Sequence, residues 1–527
     1  AVHRVHRTGQ RQDLVCAGKG ERVVLMLVHV VHADGELVRR AERLNARQTD
    51  IFLFAQRAKL RRDLLAAVEA RDDVRNPLIP RGKQSERLHS HDCDYTRTTG
   101  IWQTVWVEFV PKSYIKSIKL FPNPESSSVA FSCELCGSGE LGIDVLYEGK
   151  LVGRYDCKNA AGCVSGDMKL IEKHLWEVGC GRLYNLVITF GGDTVKSYFG
   201  LRDVRLDGFK YLINGKSVFQ RLVLDQGFYR DGIYTAPDDS DMIKDIEISL
   251  AAGFNGARLH QKVFEERYYY WADRLGYITW GESPSWGMDA NDVETARNFL
   301  SEWAECVVRD RNHPSLLTWT PMNEEWWPDN TQFPRFASDV YDLTGRLDPT
   351  RPVNTVSGGA VVRTDIWAVH NYEQNPAKLK EKIFSDGTFF HPRLRTTRDQ
   401  TRNIGFNEVK ATANYAWPQY DGSCPYLVDE FGGIKWVKDQ EKQATDSQTE
   451  SWGYGQAPRT LEEFYTRLEG QVDALLSLSG QVWGYCYTQL TDVEQEQNGI
   501  YCYDRSAKFA MDRIKAIFSK RPEHPAR

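Results

Sequence analysis

Eight short apolar runs after residue 207 constrain the fold of this chain more than any other feature. They occupy residues 219–225, 256–260, 277–282, 316–323, 352–357, 366–371, 426–430 and 481–487. Stretches of helical periodicity lie between several of them: 241–252 (opening after Ser240, closing at Gly253), 264–275 (closing at Gly276), 293–311, 333–347, 461–478 and 508–519. Runs of strand length that are apolar on both faces read as parallel strands covered on two sides. Their alternation with helices is the pattern of βα units. Eight units predict a closed (β/α)8 TIM barrel over 206–527. Only residues 358–365 separate the fifth and sixth runs, so that crossover carries no full helix.

In such a barrel the chemistry gathers where each strand ends. Polar groups stand at those ends here: Asp225, Arg258 with His260, Glu282, Asn323-Glu324-Glu325, His370-Asn371-Tyr372, Asp429-Glu430 and Thr488-Gln489. Aromatic residues Trp326, Trp327, Tyr372, Trp452 and Tyr487 accompany them, in a chain that holds 15 Trp. Strands four and seven lie on opposite sides of the mouth, so Glu324 and Glu430 can face each other across one sugar. Paired carboxylates are the chemistry of glycosidic cleavage, and a spacing of roughly 5–5.5 Å goes with retention of configuration.

The upstream sequence has two further textures. Short alternating runs at 104–110, 117–121, 128–133, 143–147, 151–155 and 184–190 predict a β-sandwich over about 110–200. Within it, Cys133-x-x-Cys136 and Cys157…Cys163 admit a zinc reading, but buried thiols fit better because no histidine stands at finger-like spacing. Residues 1–94 contain no Trp or Tyr, 15 Arg and 6 of the 12 His, for a net charge of 18 − 13 = +5. Segments 36–50 and 56–73 have amphipathic helical spacing. This part reads either as a basic binding extension or as a segment without a role of its own, with a misread gene boundary at Tyr95 as the expectation. The whole chain carries 67 − 72 = −5, which excludes a general nucleic-acid or acidic-membrane field. No run approaches the ~20 apolar residues of a membrane span. Eleven cysteines, an odd number, do not make a disulfide scaffold. No signal peptide is visible, and a cytoplasmic location is favoured.

The strings GFKYLINGKSVFQRLVLDQG, NGARLH, TPMNEEW, HNY and YLVDEFGG closely resemble the catalytic barrel of glycoside hydrolase family 2, the β-galactosidase/β-glucuronidase family. YTRTTGIWQTVWVE resembles the closing strands of that family's sugar-binding jelly roll, and LYNLVITFGGDTVKSYFGLR the end of its immunoglobulin-like domain. The resemblance covers about 95–520. It implies a jelly-roll remnant at 95–109, an immunoglobulin-like β-sandwich at 110–205 and the catalytic barrel at 206–527.

By that resemblance Glu324 is the acid/base and Glu430 the nucleophile of a retaining exo-β-glycosidase, β-galactosidase-like. Asn323 would meet the sugar 2-OH, His370 and Tyr372 would contact sugar and orient the nucleophile, and Arg258 would support it. Asp225 stands where many β-galactosidases have an Asn-Arg-His-Glu run. After strand eight, Asn498 is followed by Gly499-Ile500 and not by the Asn-x-Lys that holds a uronate, which disfavours glucuronides. Other assignments stay open. Glu282 is a substrate contact or a partner of Arg258, His260 contacts substrate or is structural, and Trp326 or Trp327 lines the pocket or packs the barrel top. Trp452 is a further sugar contact, and Trp483 is core or a sugar platform. Asp492 and Glu494 are a solvated acidic loop or a metal site. Glu325 and Asp429 are expected to point away from the catalytic pair. No cofactor or metal is expected; the partner is carbohydrate, not nucleic acid or membrane, and a homo-oligomer is allowed. The alternative is a non-catalytic or defective carbohydrate-binding protein with an incomplete N-terminal sandwich.

Overall fold

The computed structural model describes residues 73–208, 210–325, 332–385, 388–389, 418, 420–438 and 451–522, together with the backbone of four short strands before residue 73. All eight expected barrel strands form, with ends shifted by a few residues. Seven join one parallel sheet in the spatial order four, three, two, one, eight, seven, six: Leu316–Thr320, Ile278–Glu282, Gly256–Leu259, Gln220–Asp225, Val482–Thr488, Tyr426–Gly432 and Trp367–Asn371. The fifth, Val356–Ser357, pairs in parallel with Met322–Asn323 at the top of the fourth and so completes the circle beside the sixth. Leu222, Leu224, Trp280, Leu317, Leu427 and Trp483 fill the barrel interior. Val223, Leu259, Val369 and Val428 face outward to the helices. This two-sided burial is why the strands read as unbroken apolar runs.

The helices match their signals closely, with two differences. The first runs over Asp239–Ala251 and is capped by Asp238, whose side chain accepts from Ser240 N while Asp241 reaches back, so the cap lies two residues before the expected Ser240. A helix over Pro376–Ile383, capped by Asn375, follows strand six and was not expected. Gly276 closes Glu266–Leu275 in the left-handed conformation (φ 66°) as its position suggested.

Upstream lies an antiparallel β unit of five strands: Tyr114–Asn123, Ser128–Tyr147, Lys150–Lys169, Tyr184–Phe190 and Asp193–Phe199. The expected short runs 128–133 and 143–147 are one 20-residue strand. Its first half pairs with Tyr114–Asn123 and its second with Tyr184–Phe190. The register shifts between Glu134 and Ser138, where Gly137 takes φ 88°, let the strand bend without breaking its ladder to Lys150–Lys169. The bend brings the ends together, with Asp193 Oδ2 accepting from Ile115 N at 3.0 Å, around a core that includes Val129, Phe131, Ile143, Leu186 and Ile188. Cys133 is buried in that core, Cys163 is exposed, and Cys133, Cys136, Cys157 and Cys163 are all free.

The β unit seats on the barrel floor. Trp176 and Tyr211 enter the inner cluster from below, and Arg202 donates to Pro314 O (2.8 Å) and Leu316 O (3.0 Å). Asp273, fully buried, accepts from Tyr198 OH (2.8 Å) and Ser315 N (2.8 Å) and lies 2.6 Å from His313 Nδ1.

At the opposite end, residues 73–103 form a strap over the mouth. Arg81 N donates to Trp286 O (2.8 Å), Asp289 N to Pro77 O (2.7 Å) and Gln495 Nε2 to the carbonyls of Asp92 and Asp94. The boundary expected at Tyr95 falls inside this strap, where Tyr95 N donates to Lys83 O at 2.7 Å. Upstream, Ala67–Val68 pairs with Ile51–Phe52, and Arg22–Met26 with Trp106–Val110, each antiparallel. Strand therefore replaces helix at 67–68, and most of the helices expected at 36–50 and 56–73 lies outside the described residues.

Candidate active site

Strand alternation decides which polar ends enter the mouth. Along the first strand Leu222 and Leu224 face inward and Val223 outward. Asp225 shares the parity of Val223, so it turns to the helix layer and accepts from Tyr268 OH (3.1 Å) and Gly227 N (2.9 Å). The expected substrate contact at Asp225 is thereby corrected; the inward residue is Gln226, which donates to Gln489 Oε1 at 2.7 Å. Burial, and then the Asp245 charge, push the Asp225 carboxyl from its ordinary 3.8 up to about 6. The folded chain holds this proton more tightly than the unfolded chain. Stability therefore falls as pH rises from about 4 through about 6. Asp225→Asn is expected to flatten that limb in thermal melts between pH 4 and 7; an unaltered profile would place the titration elsewhere.

The seventh strand breaks the alternation. Leu427 faces inward and Val428 outward, so simple parity would send Asp429 in and Glu430 out. Register shifts at Val428/Phe431, and at Val369/His370 on the neighbouring strand, turn Glu430 into the mouth while Phe431 packs outside. Asp429 is inward as well, contrary to expectation. It accepts from Ser357 Oγ (2.6 Å) and Asn354 Nδ2 (3.3 Å).

Arg258 is the hub. It is fully buried, and its Nε donates to Glu282 Oε2 (2.9 Å), its Nη1 to Asp429 O (3.0 Å) and its Nη2 to Glu430 Oε1 (2.9 Å) and to Asn323 Oδ1. The three carboxylates hold its guanidinium firmly charged against desolvation. Glu282 also accepts from Gln261 N (2.9 Å) and lies 3.0 Å from His260 Nδ1, so it serves as a partner of Arg258. Burial raises the Glu282 carboxyl, while burial and the Arg258 charge keep His260 well below its usual range and neutral.

Glu324 takes φ 52° and donates its backbone N–H to Ser357 O (2.8 Å). A non-glycine residue in the left-handed region is strained, and here the strain aims a side chain. Its Oε1 lies 2.7 Å from His370 Nδ1, which in turn lies 3.1 Å from Glu430 Oε2. One carboxylate oxygen from each glutamate and a His370 ring nitrogen lie within 4.8 Å of one another. Tyr372 OH donates to Glu430 Oε2, and its ring stacks on Tyr454. Burial, followed by the Glu430 charge, keeps the Tyr372 phenol protonated. Asn323 is buried beside them with its Nδ2 lacking a hydrogen-bond partner among the described residues.

Glu324, Glu430, Asn323, His370, Tyr372, Arg258, His260 and Glu282 thus converge. Trp452 reaches the group through Tyr454, at 4.8 Å between ring centroids. Trp483 packs in the barrel interior instead of the mouth, and Trp326 and Trp327 lie outside the described residues. Residues not singled out in the sequence complete the wall: Trp286, whose Nε1 donates to Asn323 O (3.1 Å), and from the strap Lys83 and Tyr95. Tyr95 OH donates to Glu496 Oε2 at 2.6 Å. Only the position of Trp286 just beyond strand three signalled it.

Two groups among the described residues bring metal-ligating atoms together: Glu324–His370–Glu430, and Glu86–His91–Asp94. In the second, Arg81 already supplies the cation, 2.7 Å from Asp94 and 3.3 Å from Glu86. Asp492 accepts from Lys508 Nζ (2.6 Å) and Gly499 N (2.9 Å), an internal ion pair in place of a solvated loop.

Comparison with known proteins bears on this site. The sequence pattern of Glycosyl hydrolases family 2, TIM barrel domain, matches residues 204–422. A beta-galactosidase of Lactococcus lactis subsp. lactis (strain IL1403) is 26% identical over 305 residues, 54% of this chain and 29% of that protein. The chain therefore spans less than a third of that relative's length. A beta-glucuronidase of Paenibacillus borealis is 22% identical over 504 residues, 86% of this chain and 74% of that one. The apo structure of a beta-glucuronidase from Ruminococcus gnavus is alike in fold, with a TM-score of 0.62 at 18% identity, over 80% of this chain and 71% of that chain.

Proposed function

Because the chain belongs to glycoside hydrolase family 2, we propose that it is a retaining exo-β-glycosidase, β-galactosidase-like, that cleaves O-glycosidic bonds by double displacement. The observation that carries the reading is that one oxygen of Glu324 and one of Glu430 lie within 4.8 Å of each other, both against His370. A retaining pair stands roughly 5–5.5 Å apart, whereas an inverting pair leaves room for water between them.

Glu430 attacks the anomeric carbon. Arg258 and Tyr372 hold it aimed, each bonding one of its oxygens. Glu324 protonates the departing oxygen, then takes a proton from the water that opens the glycosyl ester. His370, against both carboxylates, sets the spacing between them. The buried Asn323 amide supplies a donor for the sugar 2-OH, a contact that strengthens as charge develops at the ring. The five-stranded β unit reads as immunoglobulin-like, and residues 95–109 as the end of a jelly roll.

Proton NMR of a p-nitrophenyl β-glycoside panel in deuterated water tests the mechanism. The first sugar formed is expected to be the β anomer. A first-formed α anomer would overturn double displacement, and an inert chain that still binds sugar would favour the non-catalytic alternative. Glu324→Ala is expected to lose about 10²–10⁴-fold on substrates with poor leaving groups and far less on a dinitrophenyl glycoside; equal losses on both would remove Glu324 from the acid role.

A further inference from the structure

We propose that the Lys83 ammonium is a specificity-determining contact of the sugar pocket, donating to a ring hydroxyl of an uncharged terminal pyranose. The inference rests on the glycosidase reading and names its substrate class. Lys83 is 4% exposed, and its Nζ forms no hydrogen bond or ion pair among the described residues. Its close neighbours are two ring faces, Trp286 at 4.5 Å and Tyr95 at 5.4 Å. A buried ammonium without acceptors is costly.

The other buried lysine near the strap shows the ordinary solution. Lys262 donates to Gly227 O (2.6 Å) and Tyr234 O (2.7 Å), and burial brings it down to about 8. Lys83 has no such carbonyls, yet against desolvation Cys93 and, after it, Glu496, Asp94 and Glu430 hold it above its ordinary range. Its donors are therefore charged and unused.

The ammonium is placed to meet substrate. The Trp286 ring beneath it is hydrogen-bonded to the Asn323 carbonyl, one residue before Glu324. Glu496 is bonded instead by Tyr95 OH and, at 3.1 Å, by Asn498 Nδ2, and makes no hydrogen bond to the ammonium among the described residues. Charge balance selects the ligand. Glu282, Asp429, Glu430 and Glu496 face two permanent cations, Arg258 and Lys83, and the His370 ring, while Arg81 pairs with Asp94. A uronate or sulfate would add negative charge to a pocket already in deficit of cations. A hydroxyl oxygen accepts from the ammonium without that cost.

The test compares the parent with Lys83→Met on the best uncharged aryl glycoside, its 3-, 4- and 6-deoxy analogues and the matching uronide. One deoxy analogue is expected to lose roughly 10- to 100-fold in kcat/KM with the parent, the scale of a charge-assisted hydrogen bond. Lys83→Met should lose a similar factor on the full sugar and nothing more on that analogue, with an unchanged melting temperature. A uniform loss across all analogues, or none, would overturn the contact. A parent that prefers the uronide, and loses that preference in Lys83→Met, would overturn the uncharged class. A parent inert toward every glycoside defeats the glycosidase reading itself. Lys83 is then judged by calorimetric binding of the uncharged monosaccharide, where equal affinities in parent and variant overturn it.

Discussion

Glu430→Ala is expected to lower turnover of an aryl β-glycoside on the order of 10⁴-fold or more, and azide to restore it with an α-glycosyl azide as product. Without the carboxylate, no group on that face of the sugar forms the covalent intermediate, and one difficult step is no longer divided into two easier ones. The variant keeps what surrounded the missing group. Arg258 still bonds Glu282 and Asp429, and the Tyr372 hydroxyl still faces the vacated volume. A small anion entering there meets a cation and a hydroxyl donor and attacks the anomeric carbon from the face that Glu430 used. One displacement by azide inverts the configuration, which identifies the missing group as the nucleophile. Activity close to that of the parent, or a β-azide, would falsify the assignment.

Arg258→Met is expected to destabilise the barrel by about 3–5 kcal/mol, on the order of 10 °C in melting temperature. The cost comes less from lost attraction than from three carboxylates left buried without their common cation. Its pH dependence gives the mechanism away. Stripped of the guanidinium, the Glu282 carboxyl, already raised by burial, loses the charge that opposed that rise, so the deficit grows as pH rises from about 5 to 7 and shrinks in acid. Arg258→Lys should recover only part of the loss, since one ammonium cannot reach Glu282 and Glu430 as a planar fork does. Calorimetric melts of both variants across that range check it; a parent-like melting temperature in Arg258→Met would mean that the carboxylates are neutralised otherwise.

The barrel was legible because its strands are covered on both faces, which leaves apolar runs ending abruptly at polar residues. Glu324 and Glu430 were singled out by that rule together with the family resemblance. What alternation could not give was side-chain direction. Asp225 follows its parity outward, whereas Glu430 enters the mouth only through a register shift that no local pattern encodes. Asp429 follows ordinary parity inward, where it was expected outside. In the β unit, glycines that usually end strands instead let one long strand bend at Gly137. Lys83 and Glu496 stayed hidden for a different reason. They lie more than 400 residues apart in the chain, and each is unremarked among its sequence neighbours until the strap crosses the mouth.

The carboxylate of Asp273, held from one side by Tyr198 and from the other by His313 and Ser315, also bears on how such a protein can be rebuilt by recombination. A foreign module grafted beneath this barrel must bring a hydroxyl to the same point, or leave a desolvated acid one donor short. Floor and barrel are thus constrained to be inherited as a pair.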